Sequence, residues 1–440
     1  MGSRPKSPRS KRPPPTPKNS THCASTSTLS DARWKNTRGG AKAKQTRIEM
    51  DTPATELELN RLLDEARERA GGLNDLGEGP FLEPLQLFLS SLENEARLNA
   101  IGVMIAKERI LGHTVNRLQY VQDRQRFPEI REQKISKPVF IIGMPRTGTT
   151  ILHDILARDP ANRAPMTWEV MFPSPPPSKD RFHDDPRIEA CAATFPDIDA
   201  MIPGFKAMHP MGALLTQECV TMMGETMCTP LFHCQFRVPS YQDWVDQEAD
   251  WSHVYDFHER QLQHLQSRHQ GDRWVLKTGA HMWGLEHLLA KYPDARIVFT
   301  HRDPVESMTS YASLTSLVRT MGSDEVDRQE IAQDWTQRLH KALEHGFRVR
   351  ENGHYPEALF YDMHFSTFVQ DQLAVVENIY DAFDIPMTAE ARTSMRGFIE
   401  DNPKGKYGAH RYTPEEFGVD PEAVRSEFRP YIERFDLAPD

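Results

Sequence analysis

The sequence is short of cysteine, of long apolar runs and of the paired motifs that mark metal sites. Five cysteines, Cys23, Cys191, Cys219, Cys228 and Cys234, are spread over 440 residues. An odd, sparse set does not make a disulfide framework, which points to reduced thiols and a cytoplasmic compartment. Cys219, Cys228, His233 and Cys234 fall close together in the chain. No CxxC pair accompanies them, so buried or free thiols are expected there and no metal. His258-Glu259 lacks the second His of HExxH, which removes the metalloprotease arrangement. No apolar stretch reaches the ~20 residues needed to span a bilayer. Nor does a charged start followed by an apolar core mark an export signal.

Charge is unevenly shared. Residues 1–50 hold twelve Lys and Arg against Asp31 and Glu49, a net of +10, while the whole chain is formally −10, which leaves −20 for the remainder. An acidic body argues against a nucleic-acid partner. The first fifty residues are rich in Ser, Thr and Pro and have no apolar periodicity, so a disordered basic tail is expected. Three explanations stay open for it: a basic interaction arm, an organelle-targeting segment, or an over-extended gene start with Met50 as the true first residue.

What is there begins with helical patterning. Leu57, Leu59, Leu62 and Leu63 open it, and glycines interrupt it at 71, 72, 77 and 79. It resumes through Phe81, Leu85 and Phe88, then Ile101, Ile105 and Ile110. This predicts a helical N-terminal region over 51–135. At Pro138 the pattern changes. Val139–Ile142 is a short apolar run closed by Gly143, which predicts a buried strand followed by a helix from about Gly148 to Ala157. Further strands are expected at Arg273–Lys277, Ala295–Thr300 and Ala358–Tyr361. Helices are expected over much of 188–270, from His281 to Tyr292 and just past Pro304. Strands alternating with helices predict an α/β fold, a P-loop-like parallel β-sheet flanked by helices.

The chemistry gathers in two segments. FIIGMPRTGTT, Phe140–Thr150, runs from a strand through a glycine-bearing loop into a helix start, where unpaired N–H groups and a partial positive charge favour an anion. Thr147, Thr149 and Thr150 add hydroxyls, Arg146 adds a fixed positive fork, and Gly148 admits the backbone close to a phosphate. Gly143 and Gly148 have the spacing of the ATP-binding P-loop, but Thr149 stands where that loop has Lys, which disfavours a kinase or NTPase. In the second segment, His301-Arg302-Asp303-Pro304, Asp303 suits a helix cap and Pro304 its first position. Arg302 and Ser310 would clamp a second phosphate.

Together with PMTWE (165–169), Trp274–Lys277, PDARIVFTHRDP (293–304) and HRYTPEEFG (410–418), these segments resemble the PAPS-dependent sulfotransferase superfamily, most closely its bacterial-type branch. The resemblance covers about 136–434. It implies a P-loop-like sulfotransferase domain and 3′-phosphoadenosine 5′-phosphosulfate (PAPS) as co-substrate, without a metal. Residue by residue, it implies that Arg146, Gly148, Thr149 and Thr150 hold the 5′-phosphosulfate and that Arg302 and Ser310 hold the 3′-phosphate. Lys404 and Lys406 would belong to a late basic loop that closes on the nucleotide. Arg146 stands where many relatives have Lys, so it would bind and polarise rather than donate a proton.

Sulfuryl transfer needs positioning and charge stabilisation. Arg146 and Lys277 would offset charge on the leaving phosphate, and His281 would accept the acceptor's proton. Relatives often read Lys-Thr-His, whereas here the His is displaced by two residues, in Lys277-Thr278-Gly279-Ala280-His281. The resemblance implies a small-molecule acceptor. Residues 201–236 carry six of the eighteen Met with Phe205, Phe232 and Phe236, which suits either an adaptable apolar pocket or plain core. Glu169 and His209 are polar candidates for reaching that acceptor. Nothing in the sequence fixes the oligomeric state.

Overall fold

A computed structural model describes residues 2, 56–195, 210–403 and 412–438. The chain divides into Met1–Met50 and Asp51–Asp440, and the second unit carries every element named below.

Three helices come first: α1 (Leu59–Arg69), α2 (Leu82–Glu95) and α3 (Ala100–Arg126). The glycine-rich break separates α1 from α2. A five-stranded sheet follows, built from β1 (Val139–Gly143), β2 (Asn162–Arg163), β3 (Arg273–Lys277), β4 (Arg296–His301) and β5 (Phe360–His364). The order is β2-β3-β1-β4-β5 and every pairing is parallel. This is the expected α/β class. All five residues of β1 are buried, as a central parallel strand covered on both faces requires.

Side chains alternate across the sheet and build two cores. Phe140, Ile142, Leu276, Ile297 and Phe299 enter the larger one. The N-terminal helices contribute Leu85, Phe88 and Leu111 to it, and α5 (Trp251–Gln266) contributes Tyr255 and Leu262. Val139, Ile141, Val275 and Val298 point the other way, toward Leu152 and Ile155 of the helix after β1 and Val376 and Ile379 of Gln372–Ala382.

Several expectations shift. The expected fourth strand begins two residues later, at Phe360, because Glu357–Leu359 forms a 3-10 turn. Strand β2 is only two residues long and has no sequence pattern to reveal it. The helix expected from His281 to Tyr292 is broken: Gly279–Met282 is a 3-10 turn and Leu285–Lys291 the helix proper, with non-helical Gly284 between them. Glycine is a poor helix residue, and an apolar periodicity runs across such a break unseen. In the Met-rich stretch, Met222, Met223, Met227, Phe232 and Phe236 are core residues, and Phe232 stacks on Phe88 of α2 at 4.3 Å between ring centroids. Such a pair adds roughly 0.5–1.5 kcal/mol beyond its buried area. Those residues therefore tie α2 to the core and do not form an open pocket. Among the described residues no helix is long and apolar enough to cross a membrane.

Candidate active site

The site grows from the C-terminal end of β1. Gly143 has φ +135° and a side chain there would lie 2.5 Å from the Thr300 hydroxyl, so only glycine lets β1 leave the sheet beside β4. Gly148, at φ +86°, ends the loop and caps the next helix, α6 (Thr149–Leu156), without any side-chain cap. The first N–H groups of α6 are therefore not taken by a capping side chain, and an anion suits them. Arg146 also sits in the left-handed region, φ +67°, an uncommon place for a residue with a side chain.

What holds the loop is partly Thr147. Its buried hydroxyl donates to the Met144 carbonyl at 2.7 Å and lies 2.6 Å from the Thr300 hydroxyl. The expectation that this hydroxyl meets phosphate is thereby corrected: it is committed to the shape of the loop. Thr149 is buried in the first turn of α6, whereas Thr150 is exposed. Lys277, the last residue of β3, donates from Nζ to the Thr150 hydroxyl at 3.1 Å and also forms an ion pair with Glu218. The cation missing from the loop itself is thus delivered by the neighbouring strand.

The second anion-binding segment meets the first. Asp303 caps the helix α7 (Pro304–Arg319), accepting from the Val305 and Glu306 N–H groups at 2.8 and 3.2 Å. Just before it, the Arg302 guanidinium donates to the Arg146 carbonyl oxygen at 2.9 Å. In return, Arg146 Nε donates to the buried Ser310 hydroxyl on α7 at 3.1 Å. Burial lowers the Arg146 pKa from its ordinary value, and the charge of Arg302 adds to this. Two guanidinium groups are held close together here, an arrangement that a bound polyanion would relieve. Arg146, Thr149, Thr150, Lys277, Arg302 and Ser310 are thus gathered at the C-terminal ends of β1, β3 and β4.

Two candidates are not gathered there. Lys277 shares the sheet face of Val275, two residues before it, whereas the His281 ring packs edge-on against Phe140 of the larger core at 5.0 Å. His281 is fully buried. Its Nδ1 lies 2.9 Å from the Tyr255 hydroxyl, and its Nε2 is without a hydrogen-bond partner. Burial pushes its pKa well below the ordinary value, with His258 adding to the effect. The structure thus sets His281 in an aromatic core on the opposite face from Lys277, because the chain turns at Gly279, just past the end of β3. Glu169 is corrected too. It is wholly buried, Arg163 donates to both its oxygens at 2.7 and 2.5 Å, and it accepts from the Met166 N–H at the start of its own helix. Its carboxylate is taken up by Arg163 and by the start of its own helix. His209, Lys404 and Lys406 lie outside the described residues.

Sequence reasoning missed Glu218, the carboxylate paired with Lys277. It also missed Asp154 on α6, whose side chain accepts from the Thr216 hydroxyl at 2.7 Å and whose pKa burial raises. No motif spacing links 218 with 277 in the chain; only the fold joins them.

A family model described as the sulfotransferase family matches residues 138–389. The chain belongs to the sulfotransferase family. Two solved sulfotransferase structures share its fold along nearly their whole length. STF1 from Mycobacterium tuberculosis is 29% identical with a TM-score of 0.75, covering 85% of this chain and 98% of that one. STF9 from Mycobacterium avium is 26% identical with a TM-score of 0.78, covering 87% and 98%. Among curated sulfotransferases, the omega-hydroxy-beta-dihydromenaquinone-9 sulfotransferases Stf3 of Mycobacterium bovis and Mycobacterium tuberculosis are 27% identical over 177 residues, 38% of this chain. The match spans 42% of the length of those relatives.

Proposed function

We propose that this sulfotransferase uses PAPS as donor and sulfates a hydroxyl or amine of a small, partly apolar acceptor. The observation that carries the reading is the meeting of two anion-binding elements, Arg302 on the Arg146 carbonyl and Arg146 on Ser310. A nucleotide with phosphates at both the 5′ and 3′ positions matches two such elements, and ATP does not. A hydroxylated quinone in the printed name of the curated relatives supports a hydroxyl on an apolar body as the acceptor class.

In this reading the uncapped N–H groups of α6, with Thr149 and Thr150, hold the 5′-phosphate, while Arg302 and Ser310 hold the 3′-phosphate. The acceptor oxygen attacks sulfur, the bond from sulfur to the 5′-phosphate oxygen breaks, and the leaving phosphate gathers negative charge. Lys277 and Arg146 offset that charge. The acceptor's proton goes to Glu218, the carboxylate beside Lys277, in place of the enclosed His281.

Calorimetry with 3′-phosphoadenosine 5′-phosphate and with ATP, followed by mass detection of sulfated product from PAPS and a panel of apolar alcohols and amines, tests the reading. Tighter binding of the bisphosphate and product with an added SO3 group are expected. Equal or tighter ATP binding overturns it.

A further inference from the structure

Phe365 follows β5 and opens the short helix Phe365–Phe368. It is partly exposed, and its ring touches both phosphate-binding elements at once. On one side it packs on Gly148: a Cβ built there would sit 3.0 and 3.3 Å from two of its ring carbons. On the other side the Arg302 guanidinium lies over the ring, 4.3 Å from its centroid. A guanidinium over an aromatic face is attracted by the ring quadrupole, and the flat surface restricts how the fork can turn. The ring therefore fixes two things together: the separation of Gly148 from Arg302, and the direction of the Arg302 fork. A ligand with two phosphates on one rigid ribose must match that separation, whereas a ligand with only a 5′-phosphate need not.

We propose that Phe365 is the spacer between the two phosphate-binding elements and sets the preference for nucleotides bearing a 3′-phosphate as well as a 5′-phosphate. The proposal rests on the assignment of Arg302 to the 3′-phosphate. Phe365 acts through Arg302 and the loop, so it is a positioning residue. It gives glycine at 148 a second reason, since the ring occupies the place a side chain would need.

The test is the ratio of affinities for 3′-phosphoadenosine 5′-phosphate and adenosine 5′-phosphate, measured by calorimetry on the full chain. Phe365→Leu keeps apolar bulk against Gly148 but removes the ring face, and should lower the ratio about tenfold, within the range of such contacts. Phe365→Ala should lower it further, while adenosine 5′-phosphate affinity stays within about threefold of the parent, since the N–H groups of α6 remain. Phe365→Tyr should restore the ratio, a rescue that loss of general packing does not predict. Equal weakening of both nucleotides in Phe365→Leu, or no change in the ratio, overturns the proposal. Arg302→Ala is the control: if it abolishes the preference while Phe365→Leu does not, the spacer fails and the phosphate assignment stands. If Arg302→Ala keeps the preference, the assignment fails and the spacer with it.

Discussion

Lys277 and His281 stand four residues apart, and the structure gives them opposite fates. Lys277 ends β3 on the face of α6, where its ammonium meets Thr150 and Glu218. His281 lies past the turn at Gly279 among Tyr255, Phe140 and His258, with no exposed surface. Both are polar, and one ends the strand that the other follows. The difference is which face of the sheet the side chain joins, and that is decided by one turn. Closeness in sequence to Lys277 is therefore no guide to which face of the sheet a side chain joins.

Four experiments can break or sharpen this contrast. Glu218→Gln removes the proposed base beside Lys277 and should lower the transfer rate by about two to four powers of ten, the usual worth of a general base. Nucleotide affinity should change little. Normal turnover in a single-turnover assay would return the base to another residue. Arg302→Ala should weaken the bisphosphate nucleotide roughly ten- to hundredfold, the size of a lost hydrogen bond to a charged group. Calorimetry reads this directly, and an unchanged affinity would detach Arg302 from the nucleotide.

On the other side of the contrast, His281→Phe should leave turnover within about threefold while altering stability by about 1–3 kcal/mol, because it changes core packing and orphans the Tyr255 hydroxyl. A loss of rate as large as that of Glu218→Gln, in a variant that still melts cooperatively, would restore His281 as the base. The smallest effect concerns acid. Burial holds His153, His233, His264 and His301 at about 4 and His258 at about 3, with His281 also well below its ordinary value. These groups are neutral when folded and charge when unfolded below about 6.5. The unfolded chain then binds more protons, so stability is full above pH 7 and falls as pH drops from about 6.5 toward 4. Each such group contributes up to about 1.4 kcal/mol per pH unit. Thermal melts from pH 7.5 to 5 should show this slope, and His281→Phe should reduce it by one group's share. A pH-independent melting temperature would contradict the burial of these rings.

The strand, turn and helix start within Phe140–Thr150 were legible because they are local. Arg302, Asp303 and Pro304 were legible for the same reason, since a cap and its helix are neighbours in sequence. Fold class followed from strands whose burial leaves near-continuous apolar runs. The rest depended on contacts across long stretches of chain. Glu218 meets Lys277 only because the segment before Cys219 folds back over the end of β3. Glu169 had the right chemistry for an acceptor site, yet Arg163 claims it six residues away. The Thr147 hydroxyl was read as a phosphate donor because nothing in the sequence announces Thr300 as its partner.

That last pair has a kinetic consequence. The loop is tied to β4 by Thr147 and Thr300, and one residue earlier by Arg302 on the Arg146 carbonyl. Ordering a free loop costs roughly 1–2 kcal/mol per residue, and if the loop takes the proposed nucleotide, most of that cost falls on folding and not on capture. The cradle is ready before its guest arrives, so arrival should be governed by diffusion and by attraction to the two guanidinium groups. Added salt should then slow nucleotide association much more than it hastens departure. Thr147→Val, which silences the hydroxyl without changing its volume much, should turn a single-step association into one that waits on the loop.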